Sequence, residues 1–154
     1  IPFCRTLKEA SKVVDLLGKN GLERGKQGLQ VYMMTEIPNN VILAEEFANY
    51  FDGFSIGSND LTQLTLGVDR DSQLLSDIFD CNDPGVKKII SMAIASAHKT
   101  KTKIGLCGQA PSDFPEFAQF LVEQGINSIS FNPDALITGI ENINKAEESK
   151  NSSE

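Results

Sequence analysis

The sequence predicts an α/β protein built on a parallel sheet, and three observations carry that reading. Short apolar runs alternate with segments of helical period along most of the chain, the pattern left by helices that cross between parallel strands. The connections between them are short. Two of the apolar runs also spill into polar, glycine-marked blocks, Gly57-Ser58-Asn59-Asp60-Leu61-Thr62-Gln63 and Gly105-Leu106-Cys107-Gly108-Gln109. Parallel α/β proteins present chemistry at such strand ends.

Residues 1–4 are the first expected strand. Thr6, with Glu9 three positions later, forms a capping-box signal for a helix through Val13, Val14 and Leu17 that stops at Gly18. Residues 21–28 read as loop. Residues 29–34 form the next apolar run, ending at Glu36-Ile37-Pro38, after which Asn39 or Asn40 caps a helix through Ile42, Leu43 and Phe47. A strand over 54–56 delivers the first polar block, and a loop is expected to follow to about Ser72. Asp83 then serves as cap and Pro84 as first helical residue, with Val86, Ile89, Ile90, Ala93, Ile94 and Ala97 tracing one face. A strand over 103–106 delivers Cys107. Phe117, Phe120 and Leu121 mark a helix stopped by Gly125, residues 128–131 a strand, and residues from Pro133 to about Ala146 a final helix. Residues 1–146 thus form one domain, and 147–154 a polar tail expected to be mobile.

About five strand–helix units are expected, whereas a closed eight-unit barrel runs to roughly 250 residues. The sheet is therefore either open or part of a barrel. Because the chain opens on Ile1-Pro2-Phe3, inside an expected strand, its start reads as a cut.

Composition narrows the function classes. The chain has 154 residues, 40% of them apolar, and a formal charge of −7 without a basic block, which disfavours nucleic acid or an anionic membrane as partner. No apolar stretch approaches the roughly 20 residues of a membrane helix. Cys4, Cys81 and Cys107 are far apart, with no CxxC spacing; neither a disulfide framework nor a structural zinc site is expected, and the cytoplasm is the expected location.

Glu36 lies just past one apolar strand and Asp60 just past the next. Neighbouring parallel strands are about 4.8 Å apart, so two such carboxylates either share one small hard cation or are solvated loop acids. Oxygen donors without a neighbouring imidazole suit magnesium better than zinc. Ser58, Asn59 and Asp60 offer successive backbone amides around a glycine-led turn, suited to an oxyanion. Arg70, ten residues on, is either a bidentate fork for an anion or a surface partner of Asp69 or Asp71. Cys107, between a glycine-led strand and Gly108, is either a proton-exchanging thiol or a small buried hydrophobe, the latter being the expectation for Cys4 and Cys81. The one histidine, His98, falls at a helix end, where a cation is favourable. It gives no support to a Ser/His/Asp triad.

The Glu36-Ile37-Pro38 segment, the block from Gly57 to Gln63 and the block from Gly105 to Gly108, in that order, closely resemble the carboxy-terminal barrel of the enzymes that interconvert pyruvate and phosphoenolpyruvate. The continuation Gly108-Gln109-Ala110-Pro111-Ser112-Asp113, with Ile1-Pro2-Phe3-Cys4-Arg5-Thr6, looks most like the phosphoenolpyruvate synthase branch. Pyruvate, phosphate dikinase and enzyme I of the sugar phosphotransferase system usually carry Gly-Glu in place of Gly108-Gln109. The resemblance implies the carboxy-terminal portion of a (β/α)8 TIM-type barrel that binds pyruvate or phosphoenolpyruvate and Mg²⁺. It implies Glu36 and Asp60 as metal ligands, Gly57, Ser58, Asn59, Asp60 and Arg70 as substrate-binding, and Cys107 as the catalytic group for the proton at the three-carbon unit. ATP would be used by a domain absent from this chain, and a phosphohistidine domain would carry the phosphoryl group to the barrel. A homo-oligomer is expected, and the fragment alone is expected to be inactive, since further substrate-binding arginines lie upstream in the family. Arg5 is the nearest substitute here. A non-catalytic barrel fragment or dimerisation module is the alternative from another class.

Overall fold

The computed structural model describes residues 1–151. Four strands, β1 (Tyr32–Thr35), β2 (Gly53–Gly57), β3 (Lys103–Cys107) and β4 (Ser128–Ile129), form one sheet in the order β1-β2-β3-β4, every neighbouring pair parallel. Each strand therefore lies beside its predecessor in sequence. A doubly wound sheet reverses direction partway; uninterrupted sequential order is what a segment of a barrel wall gives.

Residues 1–4 were expected as a strand, and the structure corrects this. The ammonium of Ile1 donates to Tyr32 O at 2.7 Å and Met34 N donates to Ile1 O at 2.9 Å, so pairing along β1 begins. Pro2 then has no N–H to give, and Phe3 adopts φ +47°, which turns the chain away.

Helix α1 (Leu7–Lys19) starts at Thr6, whose hydroxyl accepts from Glu9 N at 3.2 Å. The returning Glu9 carboxylate reaches Arg5 N, one residue before the cap, at 2.7 Å. After β1 the expected single helix is split into α2 (Pro38–Ile42) and α3 (Ala44–Phe47). Neither Asn39 nor Asn40 is its cap. Asn40 is a fully buried member of α2 whose Oδ1 accepts from the amides of Glu36 and Ile37, while its Nδ2 donates to Cys4 O.

The largest correction is α4 (Ser58–Leu66), which replaces the loop expected after β2. Its cap positions carry the signal: Gly57 leads in, Asp60 sits in the first turn where a negative charge is favourable, and Gly67 closes it at φ +66°. Leu61 and Thr62 are the buried side chains of this helix that face the interior. Turns over 68–83 lead to α5 (Pro84–Lys99), capped as expected by Asp83, whose Oδ1 accepts from Gly85 N at 2.7 Å. Beyond β3 come α6 (Ala110–Asp113), α7 (Pro115–Glu123) and, past β4, α8 (Leu136–Asn151). Residues 147–151 of the expected tail thus continue a helix, and 152–154 lie outside the described residues. β4 covers only two of the four residues expected at 128–131.

Strand alternation divides the sheet into two unlike faces. Met33, Phe54, Ile56, Ile104 and Leu106 point to the helices and are at most 2% exposed, packed with Phe47, Phe51, Ile90, Ile94 and Leu121 in one core. Fully burying a side chain of this size stabilises by about 1.5–3 kcal/mol. The intervening Tyr32, Met34, Ser55 and Cys107 are only half-buried. Among the described residues no helix is long and apolar enough to cross a membrane.

Candidate active site

The carboxy ends of β1, β2 and β3 share a cleft of about 140 Å³, lined by Met34, Glu36, Gly57, Ser58, Asn59, Asp60, Cys107 and Gly108. Register explains the convergence. Thr35 pairs with Ile56 and Gly57 with Cys107, so Glu36, one step past Thr35, falls level with Gly57 and Cys107 on the half-buried face.

Glu36 is 4% exposed. Its Oε1 accepts from Phe3 N at 2.7 Å, and its backbone amide is held by Asn40. Oε2 accepts no hydrogen bond among the described residues and lies against Gly57, where an added Cβ would stand 2.7 Å from it. Glycine is required at position 57 so that this oxygen can lie over the strand.

Asp60 projects from the first turn of α4. Among the described residues its ion pair is with Arg70, Nη1 to Oδ2 at 3.8 Å, too long for a good hydrogen bond and partly exposed on both sides. Arg70 thus pairs with neither Asp69 nor Asp71. It does not line the cleft but reaches its edge through Asp60, while its amide donates to Gln63 Oε1 at 3.1 Å. Among the described residues no three His, Cys, Asp or Glu converge as a metal cage.

Cys107 is tied to the neighbouring strand and helix by two serines. Ser58 Oγ donates to Cys107 O at 3.3 Å, and Ser55 Oγ donates to Cys107 Sγ at 3.5 Å. Gly108, at φ +143°, brings the chain so close to Ser58 that a Cβ there would strike its hydroxyl. The other two thiols are different. Cys4 is buried in the core and Cys81 half-buried, and desolvation pushes both thiols up, with Glu9 adding to the effect at Cys4 and Asp80 at Cys81.

His98 ends α5 with Nε2 3.0 Å from Gly125 O, away from the cleft. Arg5 donates to Phe3 O at 3.3 Å and stacks over the Phe3 ring. Sequence reasoning singled out Gly108 only as part of its glycine-marked block and missed Met34 and Ser55 around the site. Period-two alternation counted back from Gly57 and Cys107 is the signal that finds Ser55.

Solved structures with the same fold include an HpcH/HpaI aldolase/citrate lyase family protein from Burkholderia cenocepacia J2315, TM-score 0.64 and 14% identity, and the citrate synthase SbnG, TM-score 0.59 and 15% identity. This chain is covered to 98% and 99% by these matches, and each of those chains to 63%. The four-stranded sheet is therefore part of a TIM-type barrel. Among curated proteins the chain is 58% identical over 147 residues to the phosphoenolpyruvate synthase of Synechocystis, covering 96% of this chain and 18% of that protein. It is 59% identical over 137 residues to the one from Neisseria meningitidis and 54% identical over 137 residues to that of Escherichia coli, in both cases covering 89% of this chain and 17% of the relative. The chain spans under a fifth of the length of these relatives. The family described as PEP-utilising enzyme, PEP-binding domain, matches residues 1–148, and the chain belongs to that family.

Proposed function

We propose that this chain is the pyruvate- and phosphoenolpyruvate-binding portion of a cytoplasmic, homo-oligomeric phosphoenolpyruvate synthase, which forms phosphoenolpyruvate from pyruvate and ATP with release of AMP and phosphate. The observation that carries the reading is the meeting of Glu36, Asn59, Asp60 and Cys107 at three adjacent strand ends. The relatives named phosphoenolpyruvate synthase favour it over enzyme I, pyruvate, phosphate dikinase or a non-catalytic module.

The donor set fits Mg²⁺. Glu36 Oε2 and the Asp60 carboxylate are hard oxygens facing one small cleft, and two carboxylates with remaining positions left to water and substrate are how this ion is commonly held. Bound there, Mg²⁺ would be held by Glu36 and Asp60 and would supply positive charge to offset the negative charge that develops on the three-carbon unit. Asn59 and the amides opening α4 orient the substrate, and Arg70 offsets negative charge at the rim. As thiolate, Cys107 takes a proton from the pyruvate methyl group. The C–H electrons become the C2–C3 double bond and the carbonyl oxygen becomes the enolate. That oxygen attacks the phosphorus of a phosphohistidine carried on another domain, and the N–P bond breaks. In reverse, the Cys107 thiol returns the proton to the methylene carbon.

The test uses a full-length protein, the Neisseria meningitidis relative with this chain in place of its matching segment. Pyruvate-dependent AMP release is expected, and Cys107→Ser should lower turnover by about 100-fold or more while pyruvate binding changes by less than about threefold. Unchanged turnover removes Cys107 from the mechanism. The 154-residue chain alone should release no AMP from ATP, Mg²⁺ and pyruvate.

A further inference from the structure

We propose that Arg5 binds the phosphoryl group of phosphoenolpyruvate, meeting it where it leaves the cleft on the Glu36 side. The inference rests on the reading of the cleft as a pyruvate and phosphoenolpyruvate site, and deepens it by naming the end of the substrate that this residue serves.

The cleft holds acids and no base. Of its lining residues only Glu36 and Asp60 are charged, and both are negative, whereas a phosphate monoester brings up to about two further negative charges at neutral pH. Positive charge from beyond the lining residues is needed to hold it. The chain's arginines are Arg5, Arg24 and Arg70. Arg24 is engaged by Asp52 at 3.0 Å at the amino end of the sheet, and Arg70 is drawn to Asp60. Arg5 makes no ion pair among the described residues. Its neighbour Glu9 turns its carboxylate to the Arg5 amide, which donates to Oε2 at 2.7 Å, and leaves the guanidinium unbalanced.

Phe3 ties this free charge to the site. Its amide donates to Glu36 Oε1 at 2.7 Å, and its carbonyl oxygen accepts from Arg5 Nη1 at 3.3 Å. One residue thus separates the guanidinium from a carboxylate that lines the cleft. The guanidinium carbon also stands 5.6 Å from the centre of the Phe3 ring, a cation–π contact. The Arg5 backbone is pinned on both sides, by Glu9 at its amide and by Asn39, whose Nδ2 donates to Arg5 O at 2.8 Å. Held through Nη1, the guanidinium makes no hydrogen bond from Nε or Nη2 among the described residues. That edge is the one that grips two phosphate oxygens at once. A group already ordered in this way loses little freedom when an anion arrives.

The experiment compares two ligands by isothermal titration calorimetry in the full-length chimaera, with Mg²⁺ and without ATP. Phospholactate is a phosphate monoester whose saturated carbon skeleton makes it a poor phosphoryl donor, and oxalate is a planar dianion of similar size to the enolate with no phosphoryl group. Arg5→Gln should weaken phospholactate by about tenfold or more and oxalate by less than about twofold. Arg5→Lys, which keeps the charge and loses the paired donors, should weaken phospholactate by about threefold with oxalate again unchanged. If the glutamine variant folds poorly, the lysine variant decides by the same ratio. Equal weakening of both ligands would mean that Arg5 only props Phe3 and Glu36, and overturns the proposal. Unchanged phospholactate binding in the variants overturns it too. A parent chimaera that binds neither ligand contradicts the functional reading itself and takes the inference with it.

Discussion

Both ends of the sheet carry acidic and amide side chains, yet they use them differently. At the amino end, Asp52 just before β2 accepts from Val31 N at 2.8 Å through Oδ2 and pairs with Arg24 at 3.0 Å through Oδ1. Asn127 just before β4 does the same for Ile104 N at 2.8 Å. These side chains extend the backbone ladder where a strand begins, and their oxygens are already engaged. At the carboxy end, Glu36 has one oxygen engaged by Phe3 and one turned to the cleft, and Asp60 has only the long approach of Arg70. An acid whose oxygens are both engaged by the fold holds the fold together, and one left with an open oxygen beside a cavity can bind something else. That division is the one expected of a barrel wall, with stability at the amino end and chemistry at the carboxy end.

The largest effect that would break the comparison is at Glu36. Glu36→Gln in the chimaera should cut AMP release by about 1,000-fold, because the uncharged amide no longer balances a cation, while thermal unfolding shifts little. A loss of stability that accounts for the loss of activity would make Glu36 another Asp52. Gly57→Ala comes next. The new methyl pushes against Glu36 Oε2, and turnover should fall by about 10- to 100-fold with the protein still folded, as judged by circular dichroism. Normal turnover would show that the position of Oε2 does not matter. Asp52→Ala should do the reverse, lowering unfolding free energy in urea by about 1–3 kcal/mol as Val31 N loses its acceptor, with turnover per folded molecule unchanged.

Much of this architecture was legible in the sequence because its signals are local. Thr6 and Asp83 cap helices where their side chains can reach the next amides, and the apolar runs ending at Thr35, Gly57 and Cys107 are strands. The helix α4 was hidden because a Gly-Ser-Asn-Asp block has turn composition; its helical fate is set by Leu61 and Thr62 finding the interior and by Gly67 closing the last turn. Contacts across the chain were not legible. Phe3 N meets Glu36 from 33 residues away and Ser55 meets Cys107 from 52; alternation along β2 puts Ser55 on the face of the site, but no local pattern says which residue of another segment either group meets. The residues assigned to the site came from their resemblance to a family, and their spacing alone left each of them open to a structural reading.

The central claim is that Glu36 and Asp60 hold one divalent cation between them. Mn²⁺, whose free form is followed directly by electron paramagnetic resonance, is a suitable probe for a site of hard oxygen ligands. Titrating it into the full-length chimaera, and into its Glu36→Gln and Asp60→Asn variants, measures this without reference to turnover. To remove any contribution from a nucleotide-binding domain, the titration omits ATP and is compared with and without pyruvate. The account predicts a pyruvate-strengthened site that each single substitution weakens by at least about tenfold, with the double variant little worse than either single one because both remove the same site. Mn²⁺ binding that is unaffected by either substitution would contradict it.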